Sequence, residues 1–232
     1  MKVPVVFLAG PLTTDALWTQ VIRRLDGRID PWIADLTADD SIAGMATRVL
    51  AEAPWQRFAL VGHSMGGYVA LEIMRRAAER VERLALIDTQ ARPDTLEAID
   101  RRRALIELAQ TGRFQDVAER LIPVVFDSVE VVEPELVALH RDMARTVGVG
   151  AFLRQQRAIM DRVDSRPSLP AIGCPTLVLC GAHDLLTPLD RHQEMVSAIA
   201  GAKLVAVPSA GHFSPLERPY EVGFALANWL DR

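Results

Sequence analysis

The residues best suited to nucleophilic catalysis lie in the segment Gly62-His63-Ser64-Met65-Gly66-Gly67, between an apolar run at 58–61 and a helical pattern at 68–80. A serine hydroxyl is a weak nucleophile, so it must be exposed on a tight strand-to-helix turn, near a base and backbone N–H groups. Glycines two residues before and after Ser64 remove side chains that would clash in such a turn. The pattern predicts a nucleophile at Ser64. The alternative is a Gly/Ser-rich turn in which Ser64 only caps the helix.

Two later segments supply an acid and a base. Asp184 lies in the loop 181–188 and His212 in the segment 210–213, and each follows a predicted strand, as Ser64 does. The carboxyl ends of parallel strands meet at one edge of a sheet, which is where sites form. Serine, aspartate and histidine in this chain order match a known order of catalytic triads. We therefore expect Ser64 to attack a carbonyl carbon, His212 to accept its proton and Asp184 to orient the imidazole.

Other titratable residues offer alternatives to this assignment. Asp88 follows the fourth predicted strand and is the alternative acid. His63 and His183 adjoin the nucleophile and the acid, and we expect them to serve their loops. His140 and His192 fall within helical patterns, and we expect them at the surface.

Strands and helices alternate over residues 3–88 and 176–230, which is typical of a parallel sheet with right-handed crossovers. The predicted strands are 3–9, 32–35, 57–61, 84–88, 176–180 and 203–207. Between them, the patterns over 96–110, 114–121, 134–147 and 151–163 are helical. We expect residues 1–92 and 168–232 to form an α/β core and residues 93–167 to form a helical cap over the carboxyl edge of the sheet. The alternative is that these helices extend the core.

Composition narrows the class of protein. The chain has 232 residues, half of them apolar, which suits one large globular domain. The net charge is -4 and the basic residues are dispersed, so we expect no nucleic-acid partner. No apolar run approaches the about 18 residues of a membrane span. Cys174 and Cys180 lie about 20 Å apart on one predicted strand, too far to bridge, so we expect free thiols and a cytoplasmic protein.

On the motifs around Ser64, Asp184 and His212, the chain resembles the α/β-hydrolase superfamily over nearly its whole length, including the segment Gly211-His212-Phe213-Ser214-Pro215-Leu216-Glu217-Arg218-Pro219. Within it, the chain is similar to compact capped carboxylesterases such as those that act on pimeloyl carrier-protein methyl esters. The resemblance implies an α/β-hydrolase fold. Because the first strand begins at Val3, we expect about six strands and not the eight of the family.

The resemblance also implies an oxyanion hole. One donor is the N–H of Met65, and the other comes from the turn after the first strand, where the family carries a His-Gly pair. Here the turn reads Ala9-Gly10-Pro11-Leu12, and proline has no N–H to donate. We therefore expect the N–H of Leu12 to be the second donor.

We expect the substrate pocket to lie between the cap and these loops. Arg154 or Arg157 of the last cap helix is a candidate partner for a substrate carboxylate, although a solvated helix face is the alternative. The candidate lining residues are Gly10, Pro11, Phe126, Phe152, Arg157, Leu185 and Phe213.

The predicted activity is hydrolysis of a small carboxylic ester through an acyl-enzyme, by a monomer or a homodimer. The same triad could instead cleave a carbon–carbon bond, act as a lyase, or hold a signalling ligand with little turnover. No residue spacing is typical of a metal site or of a nucleotide-binding loop, so no cofactor is expected.

Overall fold

The computed structural model describes residues 2–128 and 132–231. Its centre is a six-stranded sheet in the order β2-β1-β3-β4-β5-β6, with every neighbouring pair parallel. The strands are β1 Val3–Leu8, β2 Ile29–Ala34, β3 Phe58–His63, β4 Val81–Ile87, β5 Thr176–Gly181 and β6 Lys203–Val207. The predicted α/β fold with six strands is confirmed.

The apolar runs form strands because both faces of the sheet are covered. All residues of β3 and β5 are buried, whereas the edge strands β2 and β6 are partly exposed. Alternate residues of β1 pack on opposite sides: Val6 and Leu8 join one core cluster, and Val5 and Phe7 join the other. Burial on both faces is what a continuous apolar strand requires.

Helices cover both faces of the sheet. A further group of helices is inserted in the chain between β4 and β5. Residues of α1 and α9 pack in one core cluster, and residues of α2, α3 and α7 pack in the other. The helices are α1 Thr19–Arg24, α2 Ile42–Glu52, α3 Met65–Ala77, α4 Leu96–Gln110, α5 Phe114–Val125, α6 Pro134–Met160, α7 Leu189–Ala198, α8 Ser214–Glu217 and α9 Pro219–Leu230, with 3-10 turns at Asp15–Leu17, Ala78–Arg80 and Arg166–Ala171.

Helices α4, α5 and α6 pack on one another and share a small core containing Leu108, Val117 and Phe152. Leu12, from the loop after β1, belongs to the same core, so the inserted helices lie against the carboxyl edge of the sheet. The backbone of α6 leaves helical geometry at Gly148, with φ 75° and ψ 164°. This break explains why the sequence shows two helical patterns, 134–147 and 151–163, along what is one continuous element.

Several element boundaries differ from the sequence expectation, among them the start of β4, which lies at Val81 and not at residue 84. β2 begins at Ile29, three residues earlier than predicted, because an edge strand tolerates Pro31, whose missing N–H costs no ladder bond on the open side. α5 continues past 121 to Val125 although it contains Pro123. α7 begins at Leu189 rather than Pro188, and Thr187 is not its cap, because the Thr187 side chain donates to Asp184 instead.

Both cysteines are free thiols, as predicted, but Cys174 precedes β5 and is only half-buried. Within the described ranges, no helix is long and apolar enough to cross a membrane.

Candidate active site

Ser64 occupies a strained turn between β3 and α3. Its backbone has φ 53° and ψ -117°, a region that residues other than glycine rarely adopt. Two hydrogen bonds hold it there: Ser64 N–H donates to Ile87 O at 3.0 Å, and Thr89 Oγ1 donates to Ser64 O at 2.7 Å. Such strain persists only where the surroundings impose it, which is common at functional sites.

The glycines of this turn are required by close backbone contacts. A Cβ at Gly66 would lie 2.3 Å from Leu8 O, and one at Gly62 would lie 2.5 Å from Gly66 O. A Cβ at Gly67 would lie 2.4 Å from Thr89 Oγ1. Only hydrogen fits at these positions, so the three glycines allow α3 to start directly against β1, β3 and the loop after β4.

The structure brings Ser64, His212 and Asp184 into one hydrogen-bonded chain. His212 Nε2 lies 2.9 Å from Ser64 Oγ, and His212 Nδ1 lies 2.8 Å from Asp184 Oδ2. All three residues are buried, with Ser64 the most accessible at 8%. With Nδ1–H donating to the carboxylate, Nε2 is the acceptor that faces the serine hydroxyl. This arrangement fits a nucleophile, a base and an orienting acid.

Asp184 keeps its charge despite burial. Burial opposes ionisation, but His212 and the hydrogen bonds from Thr187 outweigh it and lower the pKa of Asp184 to about 2. Thr187 donates through Oγ1 to Asp184 Oδ2 at 2.6 Å and through N–H to Oδ1 at 2.9 Å, while Leu186 N–H donates to Oδ1 at 2.8 Å. The loop after β5 therefore presents an ionised and fully hydrogen-bonded carboxylate to the imidazole.

Asp88, the alternative acid, lies beneath this chain and not beside the imidazole. Its Oδ1 accepts from Gly181 N–H at 2.8 Å, and its Oδ2 accepts from Ser214 Oγ at 2.6 Å. Burial and the charge of Asp184 raise its pKa well above the ordinary value. Asp88 thus connects the loop that carries Asp184 to the helix that follows His212.

His63 and His183 contact neighbouring loops, as their sequence positions suggested. His63 is fully buried, and its Nε2 donates to His212 O at 2.8 Å. Burial and the neighbouring His212 lower the pKa of His63 to about 3, so it stays neutral. His183 Nδ1 pairs with Asp127 in the loop after α5.

The two expected oxyanion donors, the N–H groups of Met65 and Leu12, have different surroundings. Met65 is the first residue of α3, where a helix N–H has no intrahelical acceptor. Leu12 has φ 58°, and its N–H is directed at Gln155 Oε1 of α6 at 3.4 Å. Gln155 is buried, and its Nε2 donates to Leu36 O at 3.4 Å. A side chain of α6 therefore contacts the N–H of Leu12, the residue that follows Pro11.

A cavity of about 780 Å³ opens onto Ser64 and His212 between the inserted helices and the sheet edge. Of the residues predicted to line a pocket, Pro11, Leu185 and Phe213 do so, and Leu12 lies among them. The side of the wall formed by the inserted helices includes residues of α4, α5 and α6, among them Leu105, Leu121, Val124, His140 and Ile159.

Four other predicted lining residues lie elsewhere, and those expectations are corrected. Phe126 and Phe152 are packed in core clusters, and Gly10 packs against His63 and Ser64. Arg157 points to the surface, where it pairs with Asp40 at 3.1 Å. Arg154, the other candidate, donates to Thr37 O at 2.9 Å. None of these five residues is part of the cavity lining.

His140 and His192 were expected at the surface and are buried instead. His140 Nε2 lies 3.3 Å from Ala118 O, and burial lowers its pKa. His192 Nε2 accepts from Thr89 N–H at 3.1 Å, and its Nδ1 lies 3.3 Å from Pro188 O. Burial lowers the pKa of His192 to about 4. Polarity alone predicted exposure, but both imidazoles find backbone partners inside.

Sequence reasoning also missed Gln155, since a glutamine within a helical pattern carries no signal of its own. Across residues 2–128 and 132–231, no cluster of three or more His, Cys, Asp or Glu side chains could hold a metal ion.

The model of the alpha/beta hydrolase family matches residues 5–223. The chain is 29% identical over 207 residues to RutD of Pseudomonas savastanoi, named as a carbamate hydrolase, covering 85% of this chain and 78% of that protein. It is 26% identical to a pimeloyl-[acyl-carrier protein] methyl ester esterase of Chromobacterium violaceum, covering 74% and 69%. A thermophilic esterase of Thermogutta terrifontis, solved with malate bound, superposes with a TM-score of 0.90 at 28% identity, covering 100% and 90%.

Proposed function

Because the chain belongs to the alpha/beta hydrolase family, we propose that it is a serine hydrolase that cleaves a small carboxylic ester through an acyl-enzyme. The observation that carries this proposal is the chain of hydrogen bonds from Asp184 through His212 to Ser64 at the floor of the cavity. The family supports hydrolase chemistry in general. The ester, the roles of the residues and the acyl-enzyme are the proposal.

In the first step, Ser64 Oγ attacks the ester carbonyl carbon while His212 Nε2 accepts the hydroxyl proton. The new C–O bond places the electron pair of the carbonyl on its oxygen. Collapse of this intermediate breaks the bond to the alcohol oxygen, which takes the proton from His212 and leaves. A water molecule then repeats the sequence on the acyl-enzyme, with His212 again as base, and releases the acid and free Ser64.

The oxyanion of each intermediate requires preorganised donors. Met65 N–H lies at the start of α3, where the helix dipole also favours negative charge. Leu12 N–H is the second donor in this proposal. Its bond to Gln155 is long, at 3.4 Å, so a carbonyl oxygen that becomes anionic competes well for it.

The test is labelling and turnover on the folded protein. A fluorophosphonate should add one adduct to the wild type, seen by intact mass, and none to Ser64→Ala. Short acyl esters of p-nitrophenol should give a burst of p-nitrophenol, with kcat falling at least about a thousandfold in Ser64→Ala and His212→Ala. Ser197→Ala, whose hydroxyl donates to Gln193 O on the exposed side of α7, is the matched control and should behave as wild type.

Other outcomes point to other functions. Absence of an adduct on folded wild-type protein would contradict an activated Ser64 and favour a ligand-binding role. An adduct without ester turnover would favour carbon–carbon cleavage or lyase chemistry by the same residues. The resemblance to RutD favours a second candidate, a carbamate hydrolase, and faster release of p-nitrophenol from an aryl carbamate than from the ester of equal size would select it.

A further inference from the structure

The cavity over Ser64 is rich in positive charge although the whole chain carries a net charge of -4. Five arginines and two acidic residues line it. The lining arginines are Arg92, Arg101, Arg102, Arg120 and Arg191, and the lining acids are Asp94 and Glu97. An excess of one sign of charge in a cleft concentrates ligands of the opposite sign.

Three of these arginines are engaged by neighbouring acids. Arg92 pairs with Glu194 at 2.8 Å, and Arg191 lies 3.4 Å from Asp190. Arg102 pairs with Asp94 at 2.6 Å and also donates to Gln156. Asp94 is shared with a second arginine, Arg162, at 2.8 Å, so one carboxylate faces two guanidinium groups.

Arg101 on α4 and Arg120 on α5 make no ion pair or hydrogen bond with any residue in 2–128 or 132–231. Glu97 lies one turn before Arg101 on the same face of α4, yet the two are not within ion-pair distance. Both arginines belong to the helix stripes that face the cavity: Ala98 and Leu105 flank Arg101, and Leu121 and Val124 adjoin Arg120. Two guanidinium forks therefore line the cavity without a protein carboxylate to bind.

From this arrangement we propose that Arg101 and Arg120 form an anion subsite, and that the natural substrate is an ester carrying a second, free carboxylate. This inference rests on the proposed ester hydrolysis and specifies its substrate class. The reacting carbonyl lies over Ser64, and the free carboxylate is held by the inserted helices. A planar guanidinium matches a carboxylate in two parallel hydrogen bonds. The apolar wall between the two ends suits the methylene chain of a dicarboxylic monoester.

The experiment compares mono-p-nitrophenyl esters of adipic, pimelic and suberic acid with the same esters in which the free carboxylate is a carboxamide, each rate being corrected for hydrolysis without the protein. The expected result is a higher kcat/KM for the acid than for the amide, by about tenfold or more at the best chain length. The ratio should fall toward one in Arg101→Gln/Arg120→Gln and at about 0.5 M NaCl, because salt screens charge. Each single variant should lower it in part. Since the readout is a ratio within one protein, partial misfolding does not imitate the effect.

Arg103→Gln is the matched control, because Arg103 is on α4 and exposed, as Arg101 is, but it pairs with Asp100 and lies outside the lining. It should retain the wild-type ratio. A wild-type ratio of one, or a ratio unchanged in the double variant, would overturn the subsite while leaving ester hydrolysis standing.

Failure of all the esters, neutral and anionic, would instead count against the proposed hydrolysis. The subsite is then tested by calorimetry, with adipate as the probe. Adipate should bind Ser64→Ala several times more tightly than the triple variant that also carries Arg101→Gln and Arg120→Gln, and equal binding would overturn the subsite.

Discussion

His212 illustrates how a single side chain depends on residues brought in from distant parts of the sequence. Its Nδ1 contacts Asp184 and its Nε2 contacts Ser64, while its carbonyl accepts from His63. Two buried aspartates lie near it, yet only Asp184 is within hydrogen-bond distance of the imidazole, because Asp88 is occupied by Gly181 and Ser214. Because each aspartate follows a strand, its sequence position allowed either one to be the partner of His212. The hydrogen bonds distinguish the two.

At the same scale, Gln155 provides a test of the Leu12 donor. We predict that Gln155→Glu lowers kcat about a hundredfold on a neutral ester with little change in KM, the size of effect seen when an oxyanion donor is lost. A carboxylate at this position would bind the Leu12 N–H firmly and place negative charge beside the developing oxyanion. Steady-state kinetics with p-nitrophenyl butyrate is the measurement.

Gln156→Glu is the control for this prediction. Gln156 is the next residue on α6, is also buried and lines the cavity, but its Oε1 accepts from Arg102 at 2.9 Å, so a carboxylate there gains an ion-pair partner. Its kcat should change less than about threefold. Equal losses in the two variants would mean that Leu12 N–H is not the donor.

At the scale of elements, the turn between β3 and α3 is built by contacts that leave no space for a side chain. We predict that Gly66→Ala destabilises the fold by about 2–4 kcal/mol, because its methyl group would lie 2.3 Å from the backbone oxygen of Leu8, and neither backbone can yield without moving β1 or α3. Urea denaturation gives the free energy of unfolding.

Gly173→Ala is the matched variant, since a Cβ there meets nothing within 4 Å. It should leave the free energy of unfolding within about 0.5 kcal/mol of the wild type. If Gly66→Ala proved as stable as Gly173→Ala, the close approach of α3 to β1 would be wrong.

For the whole molecule, stability depends on imidazoles that fold in their neutral form. Thr89 N–H donates to His192 Nε2, so the ring proton must lie on Nδ1, which donates to Pro188 O. Protonation of His192 at Nε2 would place two hydrogens, one on Nε2 and one on Thr89 N, against each other. This contact and burial are consistent with a folded-state pKa of about 4, below the about 6.5 of an unfolded histidine.

The direction of this pH dependence follows from how many protons each state binds. Between about pH 6.5 and pH 4 the unfolded chain takes up a proton at His192 and the folded protein does not, so stability falls as the pH falls. We predict that His192→Gln reduces this slope by up to about 1.4 kcal/mol per pH unit. Urea denaturation at several pH values measures it, with Ser197→Ala, on the exposed side of the same helix, as the control. An unchanged slope in His192→Gln would show that the imidazole is not held neutral.

Much of this architecture could be predicted because it is encoded in short stretches of sequence. Continuous apolar runs specify strands that are buried on both faces, and the glycines around Ser64 specify a turn with no room for side chains. The helical insertion was also visible, down to the separate patterns on either side of Gly148. Where the predicted boundaries were wrong, as at Ile29 and Thr187, the deciding features were an open sheet edge and a carboxylate three residues away in the same loop.

By itself, then, the sequence determined the parallel sheet, the strand-to-helix turn at Ser64 and the strand-end positions of Asp184 and His212, since backbone geometry and periodicity act over a few residues. Only the tertiary structure decided that Gln155 meets Leu12, that His140 and His192 are buried, and that Arg101 and Arg120, rather than Arg157, line the cavity. The physical reason is packing: which face of an inserted helix meets the sheet edge depends on side chains more than a hundred residues away, as the 143-residue separation of Leu12 and Gln155 shows.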